Sequence, residues 1–589
     1  MVSQTWKLKS FDQAQIQRLS REAAIHPLIA QLLWNRGIKS AVDVKRYMEV
    51  RRDGLHDPAT LPGVLQAANL LTRAIQNRRK IIVYGDYDVD GVCGTSILWE
   101  CLRLAGAHQP EYYIPHRVEE GYGLNSDSLR RLAQERGASL IVTVDCGVTA
   151  VVEARLARSL GVELIITDHH TPGPDWPDAD AVVHPRAPGG SYPFGELCGA
   201  GVAFKLAWQI CKEMSDGQKA SPQLREYLIQ AMNLVALATV ADVVPLEDEN
   251  RIFVRHGLRG LVAKPSVGLR ELMVLSGCAG RESLTTGTIG FGLAPRINAA
   301  GRMERAMAAV ELLTTTDPHR AADLAQSLEL CNKQRQEMEQ TIVSHAHAMI
   351  KDQGGVGDRG AIVLGHPSWH PGVIGIVASR LVDAYHRPTI IVALKGETGQ
   401  GSCRSVPGFD LHNALSACAS GLTSFGGHKA AAGLKLKADS LGAFAEQFDS
   451  HCRETLTPEQ RIKTLQIDAQ IPLGLLTYQM VRSIESLEPF GPANPRPVLI
   501  AEPVRVATEP KTVGAAGVHV QIKFEQGGSV FSAIGWNMAS RLTELKPGSI
   551  CAIAFFPTID TWRERREIKL ELKDLRILDS NSPQETAKV

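Results

Sequence analysis

The sequence predicts an α/β protein that contains a parallel β-sheet domain, a second and smaller α/β domain joined to it by a long helix, and a C-terminal β-barrel. Three observations support this prediction. Short apolar runs alternate with helical segments between residues 80 and 184, and a helical stretch without interior proline or glycine covers residues 318–353. Beyond residue 460, apolar and polar residues alternate in several short segments.

Length, composition and net charge exclude an intrinsically disordered chain but few other classes of protein. At roughly 150 residues per domain, 589 residues correspond to about four domains. Hydrophobic residues make up 44% and charged residues 22%, as in ordinary globular proteins. The 64 Lys and Arg against 63 Asp and Glu leave a net charge of +1, so nothing in the overall charge attracts a polyanion. A nucleic-acid partner would need a local basic groove.

The same sequence indicates a cytoplasmic location. No stretch approaches the roughly 18 uninterrupted apolar residues of a membrane helix. The first ten residues have no apolar core of the kind that secretory signals carry. Eleven cysteines, an odd number without a CxxC pair, argue against complete disulfide pairing and against a cysteine-based zinc site. We therefore expect a reducing compartment and no membrane partner.

The parallel sheet is predicted from four apolar runs that are bounded by Gly or Asp and separated by helices. Parallel strands are buried on both faces, so they are apolar throughout, and ligands bind beyond their carboxyl ends. The runs are 80–84, 139–144, 163–167 and 181–184.

The rest of the chain is divided where its pattern changes. A second α/β pattern follows the long helix, and the alternation over 518–524 and 568–572 is typical of half-buried strands in a small barrel, with an OB-fold as one candidate. The predicted domains are an N-terminal segment (1–60), the parallel-sheet domain (61–317), the connecting helix (318–353), the second α/β domain (354–455) and the OB-like barrel (460–580).

Acidic and histidine residues follow three of the four predicted strands: the Asp86, Asp88 and Asp90 group, then Asp145, then the triplet 168–170. The first group alone could be read as a calcium loop or as capping aspartates. An EF-hand needs Glu at its twelfth position, which here is Ile97, and a helix before it rather than a strand. Because the strand ends share one edge of the sheet, we expect these side chains to converge.

Charge repulsion favours a metal at this edge. Asp242 is the only charge in the apolar run 234–246, so we expect it to be buried or liganded. Two carboxylates about 4 Å apart repel by roughly 4 kcal/mol at an effective dielectric near 20. Such groups either protonate or bind divalent cations, and oxygen ligands with one or two imidazoles suit two Mn²⁺ or Mg²⁺ ions. Two ions of this kind can hydrolyse a phosphoester.

Eight segments in a fixed order resemble the DHH phosphoesterase superfamily, and within it the bacterial exonucleases specific for single strands. From the first to the last, they span about 350 residues. The segments are YGDYDVDGVCGT (84–95), HRVEEGYGLN (116–125), VDCG (144–147), DHH (168–170), TVADVVPL (239–246), PRINAAGR (295–302), GSCRS (401–405) and GGHKAAAG (426–433).

The resemblance implies roles for the acidic and histidine residues. His170 is expected to contact the scissile phosphate or leaving group, Asp168 to orient an imidazole, and Asp86 to lie near the metals. Tyr84 stands where smaller relatives often carry a histidine. The implied metal ligands are Asp88, Asp90, Asp145, His169 and Asp242.

The resemblance also implies substrate contacts. Arg117, Ser402 and Arg404 are expected to bind a terminal 5′-phosphate, for which arginine forks and a hydroxyl are suited. Arg296 and Arg302 would contact substrate, although a structural ion pair remains open for these arginines. His428, in the signature of the DHHA1 domain that accompanies DHH, would face a phosphate or pack in its loop.

The implied function is metal-dependent 5′-to-3′ degradation of single-stranded DNA to mononucleotides in recombinational and mismatch repair. Single-strand-binding protein and a RecQ-type helicase are the implied partners. Phe524, Phe531, Trp536 or Trp562 of the barrel could stack on bases, or belong to its core. Two other functions stay open: a phosphoesterase for short oligonucleotides, cyclic dinucleotides or pyrophosphate, and a scaffold without catalysis.

Overall fold

The computed structural model describes residues 4–117, 119–215, 219–303, 306–514, 517–541, 545–560 and 566–578. They form two compact units. Unit 1 comprises Arg52–Lys463, and unit 2 combines Gln4–Arg51 with the chain from Thr464 onward. The segment 1–60, which the sequence predicts to be separate, is therefore split in the structure. Gln4–Arg51 belongs to the same unit as the C-terminal barrel, and the chain from Arg52 belongs to unit 1.

The N-terminal part of unit 2 packs its apolar side chains into the core of the barrel. Leu28, Leu32 and Leu33 are buried in one cluster with barrel residues. This burial is the reason that the segment does not stand alone. Its elements are β1 (Gln4–Leu8), α1 (Gln13–Glu22), α2 (Pro27–Trp34) and α3 (Ala41–Glu49).

A five-stranded parallel sheet lies at the centre of the first half of unit 1, as predicted. The strand order is β3-β2-β4-β5-β6 and every pair is parallel. All residues of the strands at 81–84 and 140–143 are buried, which explains their apolar composition. The strands are β2 (Ile81–Tyr84), β3 (Glu111–Tyr113), β4 (Leu140–Thr143), β5 (Glu163–Thr167) and β6 (Ala181–Val183).

Helices surround this sheet and extend the domain towards the connecting helix. A π-helical turn, Ile289–Leu293, precedes the helix that contains the PRINAAGR segment. The helices are α4 (Val64–Gln76), α5 (Val89–Leu104), α6 (Ser126–Gln134), α7 (Val151–Ser159), α8 (Gly199–Glu213), α9 (Pro222–Ala241), α10 (Asp248–Ala263), α11 (Val267–Leu275), α12 (Thr286–Thr288), α13 (Ala294–Arg302) and α14 (Ala306–Thr314).

The helix predicted over 318–353 is α15 (Pro318–Asp352), which starts at the N-cap residue Asp317 with proline in its first turn. It leads into a mixed sheet of order β10-β11-β9-β8-β7, in which only the pair at 362–366 and 389–395 is parallel. The elements are β7 (Ile362–His366), α16 (Ile374–Tyr385), β8 (Thr389–Lys395), β9 (Thr398–Arg404), α17 (Leu411–Ala417), β10 (Ser424–Gly427), β11 (Ala431–Lys437) and α18 (Leu441–Thr455).

The C-terminal part of unit 2 is a seven-stranded sheet of order β13-β14-β18-β19-β17-β16-β15, which an additional β14–β16 pairing closes. A further strand pairs with β1. The elements are β12 (Lys463–Ile467), β13 (Ala469–Gln470), α19 (Tyr478–Glu485), β14 (Leu499–Val506), β15 (Lys511–Val513), β16 (His519–Gln526), β17 (Ser529–Gly535), β18 (Ile550–Asp560) and β19 (Glu567–Ile577).

The alternation of apolar and polar residues in β16 corresponds to alternating burial, as predicted. Val520, Ile522 and Phe524 are buried, so Phe524 belongs to the core and is not available for stacking on bases. Trp536 is 53% exposed, and Trp562 lies outside the described residues. Among the helices that the structure describes, none has the length and apolarity to cross a membrane.

Candidate active site

The carboxylates and histidines converge at the carboxyl ends of β2, β4 and β5. Tyr84, the last residue of β2, pairs with Thr143, the last residue of β4. The chain therefore reaches Asp86 and Asp145 at the same edge of the sheet. The triplet 168–170 follows directly after β5 at this edge.

His169 lies at the centre of the cluster. Its Nε2 atom is 3.2 Å from Oδ1 of Asp145, 3.6 Å from Oδ2 of Asp90 and 3.6 Å from Oδ2 of Asp242. Asp242 is the residue that ends α9, so it comes from outside the sheet. Three carboxylates from different elements thus face one imidazole nitrogen.

Two adjoining groups of three side chains could each hold a cation. One consists of Asp90, His169 and Asp242, and the other of Asp86, Asp88 and Asp145; the ligand atoms of each group lie within 4.8 Å of one another. Because Asp145 also contacts His169, the groups are neighbours. Two neighbouring groups of ligands are what a two-metal site requires.

Hydrogen bonds from helix N-termini position two of these carboxylates. Asp88 is the N-cap of α5, where its Oδ1 accepts from the backbone N–H groups of Asp90 at 2.9 Å and Gly91 at 3.1 Å. The carboxylate of Asp90 accepts from the N–H groups of Gly199 at 2.6 Å and Ala200 at 2.7 Å, where α8 begins. Both helix ends favour the charged form.

The cluster concentrates more negative charge than it neutralises. Burial and the neighbouring carboxylates raise the pKa of Asp86, Asp88 and Asp145, and they raise the pKa of Asp242 to about 9. Oδ1 of Asp86, Oδ1 of Asp145 and Nε2 of His169 are buried without a hydrogen-bond partner in the described part of the chain. Divalent cations fit these unpaired oxygen and nitrogen atoms.

Asp168 holds the imidazole of His170. Its Oδ1 accepts from Nδ1 of His170 at 2.8 Å, and its Oδ2 accepts from the N–H of Val148 at 2.9 Å. Burial alone would raise the pKa of Asp168, but these hydrogen bonds lower it to about 2. Burial lowers the pKa of His170, yet Asp168 raises it to about 9. Asp168 thus favours the protonated form of His170 at the edge of the cluster.

Four arginines gather beside the carboxylates. Burial, together with the charges of Arg117, Arg335 and Arg404, lowers the pKa of Arg302 to about 9. Nη1 of Arg404 donates to Oγ of Ser402 at 3.2 Å. Such a concentration of positive charge favours an anionic ligand.

Two residues predicted to contact substrate, Arg296 and His428, do not lie in the arginine cluster. Nε of Arg296 pairs with Oε2 of Glu329 at 2.6 Å, and its Nη1 donates to the carbonyl of Gly292. Of the two alternatives for Arg296, a substrate contact or a structural ion pair, the structure shows the ion pair. His428 lies exposed in the turn between β10 and β11, where its backbone N–H donates to the carbonyl of Ala431. It is not packed in its loop.

Sequence reasoning missed two side chains of the site. The Tyr122 hydroxyl lies 3.2 Å from Nδ1 of His170, and Oδ1 of Asn298 accepts from the N–H of Val89 at 3.0 Å. Both lie inside quoted segments, so their position in the motif was the available signal. Arg335, on the buried face of α15, lines a cavity of about 270 Å³ beside Asp242.

Models of three domain families match the chain in order. The DHH family N-terminal domain matches residues 80–239, the DHHA1 domain matches residues 358–454 and the RecJ OB domain matches residues 467–574. These matches coincide with the parallel-sheet domain, the mixed-sheet domain and the barrel. The fold and site thus define a phosphoesterase of the DHH class with an OB domain.

Curated relatives and solved structures narrow this class. The chain is 39% identical to the single-stranded-DNA-specific exonuclease RecJ of Bacillus subtilis over 574 residues, covering 97% of this chain and 71% of the relative. It is 32% identical to Escherichia coli RecJ over 567 residues, covering 94% and 96%. The crystal structure of Thermus thermophilus RecJ with Mn²⁺ matches with a TM-score of 0.82 at 30% identity, covering 98% of this chain and 80% of that one.

A second structure of the Thermus thermophilus protein, with Mg²⁺, matches with a TM-score of 0.76 at 29% identity, covering 98% of this chain and 79% of that one. The chain belongs to the RecJ family of single-stranded-DNA-specific exonucleases.

Proposed function

We propose that this protein is a metal-dependent exonuclease that hydrolyses single-stranded DNA from its 5′ end and releases mononucleotides. One observation carries the proposal: two adjoining groups of metal-ligating side chains, which meet at Asp145 and His169, lie beside a cluster of arginines. Carboxylates supply sites for cations, and arginines supply sites for phosphates. The family relationship supports the same substrate.

The residues of the cluster would hold two divalent cations, Mn²⁺ or Mg²⁺. Both metals occur in the solved structures of the Thermus thermophilus relative. Such a pair activates a water molecule and offsets charge on the leaving 3′-oxygen. The proposed ligands are Asp88, Asp90, Asp145, His169 and Asp242, with Asp86 beside them.

His170 is proposed to donate a hydrogen bond to the scissile phosphate or to the leaving group. Asp168 keeps its ring in place through the 2.8 Å hydrogen bond to Nδ1, and the Tyr122 hydroxyl lies 3.2 Å from the same nitrogen. Because Asp168 binds Nδ1, Nε2 is the ring nitrogen proposed to face the substrate, beside the Tyr122 hydroxyl at 3.3 Å. The side chain of His170 is 34% exposed, which leaves it accessible.

The 5′ polarity is proposed to come from Arg117, Ser402 and Arg404. Ser402 and Arg404 lie against the first turn of α16, where a Cβ on Gly375 would be 2.9 Å from Oγ of Ser402 and 3.2 Å from Nη2 of Arg404. Glycine therefore keeps the N-terminal turn of this helix close to both side chains, and helix N-termini bind phosphate. Arg302 would contact the strand between this pocket and the carboxylates.

The barrel is proposed to bind the strand farther from its end. Lys523 is exposed on β16 and Trp536 is half exposed, which suits backbone contact and base stacking. A role in recombinational and mismatch repair, with single-strand-binding protein and a RecQ-type helicase as partners, completes the proposal. All eleven cysteines are free and buried, which supports a reducing location such as the cytoplasm.

A long single-stranded oligonucleotide, labelled at either end, tests the proposal in the presence of Mn²⁺, Mg²⁺ or EDTA. We expect metal-dependent release of the 5′ label as a mononucleotide, while strands labelled at the 3′ end shorten stepwise. Release of the 3′ label first would contradict the polarity. Turnover of dinucleotides alone would favour the short-substrate phosphoesterase, and binding without cleavage would favour the scaffold.

A further inference from the structure

Asn250 is a buried side chain that joins two loops. It lies in the first turn of α10 and is 0% exposed. Its Nδ2 group donates to the carbonyl of Glu196 at 2.6 Å and to the carbonyl of Pro245 at 3.0 Å. Its Oδ1 atom has no hydrogen-bond partner among the described residues, so the NH₂ group alone makes these contacts.

Each of these carbonyls belongs to a segment that positions one carboxylate of the same candidate metal group. Pro245 comes three residues after Asp242, and the residue between helix and loop, Val243, has a φ of 62°. This left-handed conformation is strained for a β-branched residue, so neighbouring contacts must hold it. The contact from Asn250 to Pro245 is one that fixes this loop.

The other carbonyl, that of Glu196, precedes the start of α8 by three residues. The N–H groups of Gly199 and Ala200 donate to both oxygens of Asp90. A shift of the segment before α8 therefore moves the donors that hold Asp90. Asn250 is thus connected to Asp90 through α8 and to Asp242 through the loop after α9.

The neighbouring residue in α10 strengthens this connection. Glu249 accepts from the hydroxyl of Tyr192, in the segment before α8, and from the buried ammonium of Lys205 on α8 itself. The first turn of α10 thereby holds the approach to α8 at Tyr192 and at Glu196. Asn250, in the same turn, also reaches the loop of Asp242.

We propose that Asn250 is a positioning residue that sets the separation of Asp90 and Asp242 on either side of His169. Both carboxylates lie 3.6 Å from Nε2 of His169, which is the geometry that Asn250 would maintain. The inference rests on the proposed metal function of this group. Side chains that orient metal ligands from behind typically change metal affinity about 10–100-fold when they are replaced.

The test measures Mn²⁺ binding by calorimetry to the full chain and to the variants Asn250→Asp and Asn250→Leu. Asp keeps the shape but cannot donate, and its added negative charge by itself favours a cation. A weaker affinity in this variant must therefore come from the lost donors. Leu removes the donors without adding charge. Circular dichroism and melting curves establish that each variant is folded.

Asn494 offers a matched control in unit 2. It is 1% exposed, and its Nδ2 donates to the carbonyls of Leu487 at 2.9 Å and Pro489 at 2.7 Å. The variants Asn494→Asp and Asn494→Leu remove the same two kinds of bond without touching a segment that holds a carboxylate of the cluster, and Asn494→Leu also removes the acceptor of Nε of Arg36 at 2.7 Å. They measure the structural effect alone.

We expect both Asn250 variants to bind Mn²⁺ about 10–100-fold more weakly, both Asn494 variants to bind as the unaltered protein does, and excess Mn²⁺ to restore most of the nuclease activity of the Asn250 variants. Unchanged Mn²⁺ affinity in the Asn250 variants would overturn this inference but leave the proposed function intact. Failure of both to fold would assign Asn250 a purely structural role and overturn it too. Absence of Mn²⁺ binding to the unaltered protein would overturn the proposed function as well.

Discussion

Gly199 lies so close to Asp145 that a Cβ atom at this position would be 2.5 Å from Oδ1 and 2.6 Å from Cβ of the aspartate. The start of α8 can therefore donate to Asp90 only because residue 199 has no side chain. The same absence leaves Asp145 its place beside His169. One glycine thus allows two carboxylates to share the site.

Gly199→Ala should lower nuclease activity about 100-fold, since the methyl group must displace Asp145 or the start of α8 by about 1 Å. Single-turnover cleavage of a labelled strand measures the effect. Gly442→Ala is the control, because a Cβ at this exposed position in α18 meets nothing within 4 Å. Equal activity of the two variants would contradict the close packing at residue 199.

Asp145→Asn should lower hydrolysis by about 1000-fold, which corresponds to several kcal/mol of transition-state stabilisation by the metals. Because the substitution relieves repulsion among buried carboxylates, the metal-free variant should melt no lower than the unaltered protein. Mn²⁺ should raise the melting temperature of the unaltered protein and raise that of the variant less. Asp127→Asn, at a side chain that is 97% exposed, should change none of these quantities.

Arg404→Ala should weaken cleavage of 5′-phosphorylated strands about 10–100-fold, in line with about 1.5–3 kcal/mol for a hydrogen bond to a charged group. Strands that end in a 5′-hydroxyl should lose much less. Comparing kcat/KM for the two substrates measures the difference. Arg103→Ala, which removes a half-exposed partner of Glu100, should affect neither substrate. An equal loss of kcat/KM on 5′-phosphorylated and 5′-hydroxyl strands would contradict the assignment of Arg404 to the phosphate pocket.

Deleting residues 464–589 alone should produce an aggregating protein, because Leu28, Leu32 and Leu33 would lose the barrel side chains that bury them. Each exposed leucine costs about 1.5–3 kcal/mol of burial. The fragment 52–463, which lacks both parts of unit 2, should remain monodisperse in size-exclusion chromatography. It should still cleave dinucleotides and bind long strands more weakly. Similar behaviour of the two fragments would contradict the division into units.

The thiols should react slowly in the native protein. All eleven cysteines are buried, and burial raises the pKa of Cys551 to about 11. Since the thiolate is the reactive form, only about one Cys551 thiol in a thousand is reactive at pH 8, and the native rate should rise about tenfold per pH unit up to pH 11. Ellman's reagent should detect eleven fast thiols only after denaturation. A fast native thiol at pH 8 would contradict the burial.

Much of the architecture could be predicted because local composition reports burial. The runs at 80–84 and 163–167 are apolar since both faces of the parallel sheet are covered, and the alternation at 518–524 follows the two faces of a barrel strand. The edge strand β3 escaped prediction because it is three residues long and half-buried. Too few apolar residues remain there to form a pattern.

The assembly of unit 2 could not be predicted, since its contacts join residues more than 400 positions apart. Trp6, for example, donates to Asp574 at 2.8 Å. In the site, the strand ends at 86, 145 and 168 were predictable from the sheet. The partner of Arg296, by contrast, is Glu329 on another helix, and no local pattern indicates such a pairing.

The division of unit 2 between the two ends of the chain has a consequence for synthesis. Helices α1–α3 leave the ribosome before unit 1, and 412 residues separate Arg51 from Thr464, where the remainder of their unit begins. At about 5–20 residues per second, translation of that stretch takes roughly 20–80 s. These helices are thus buried only after unit 1 has been translated, and through this interval every nascent chain carries an apolar surface that chaperones can bind.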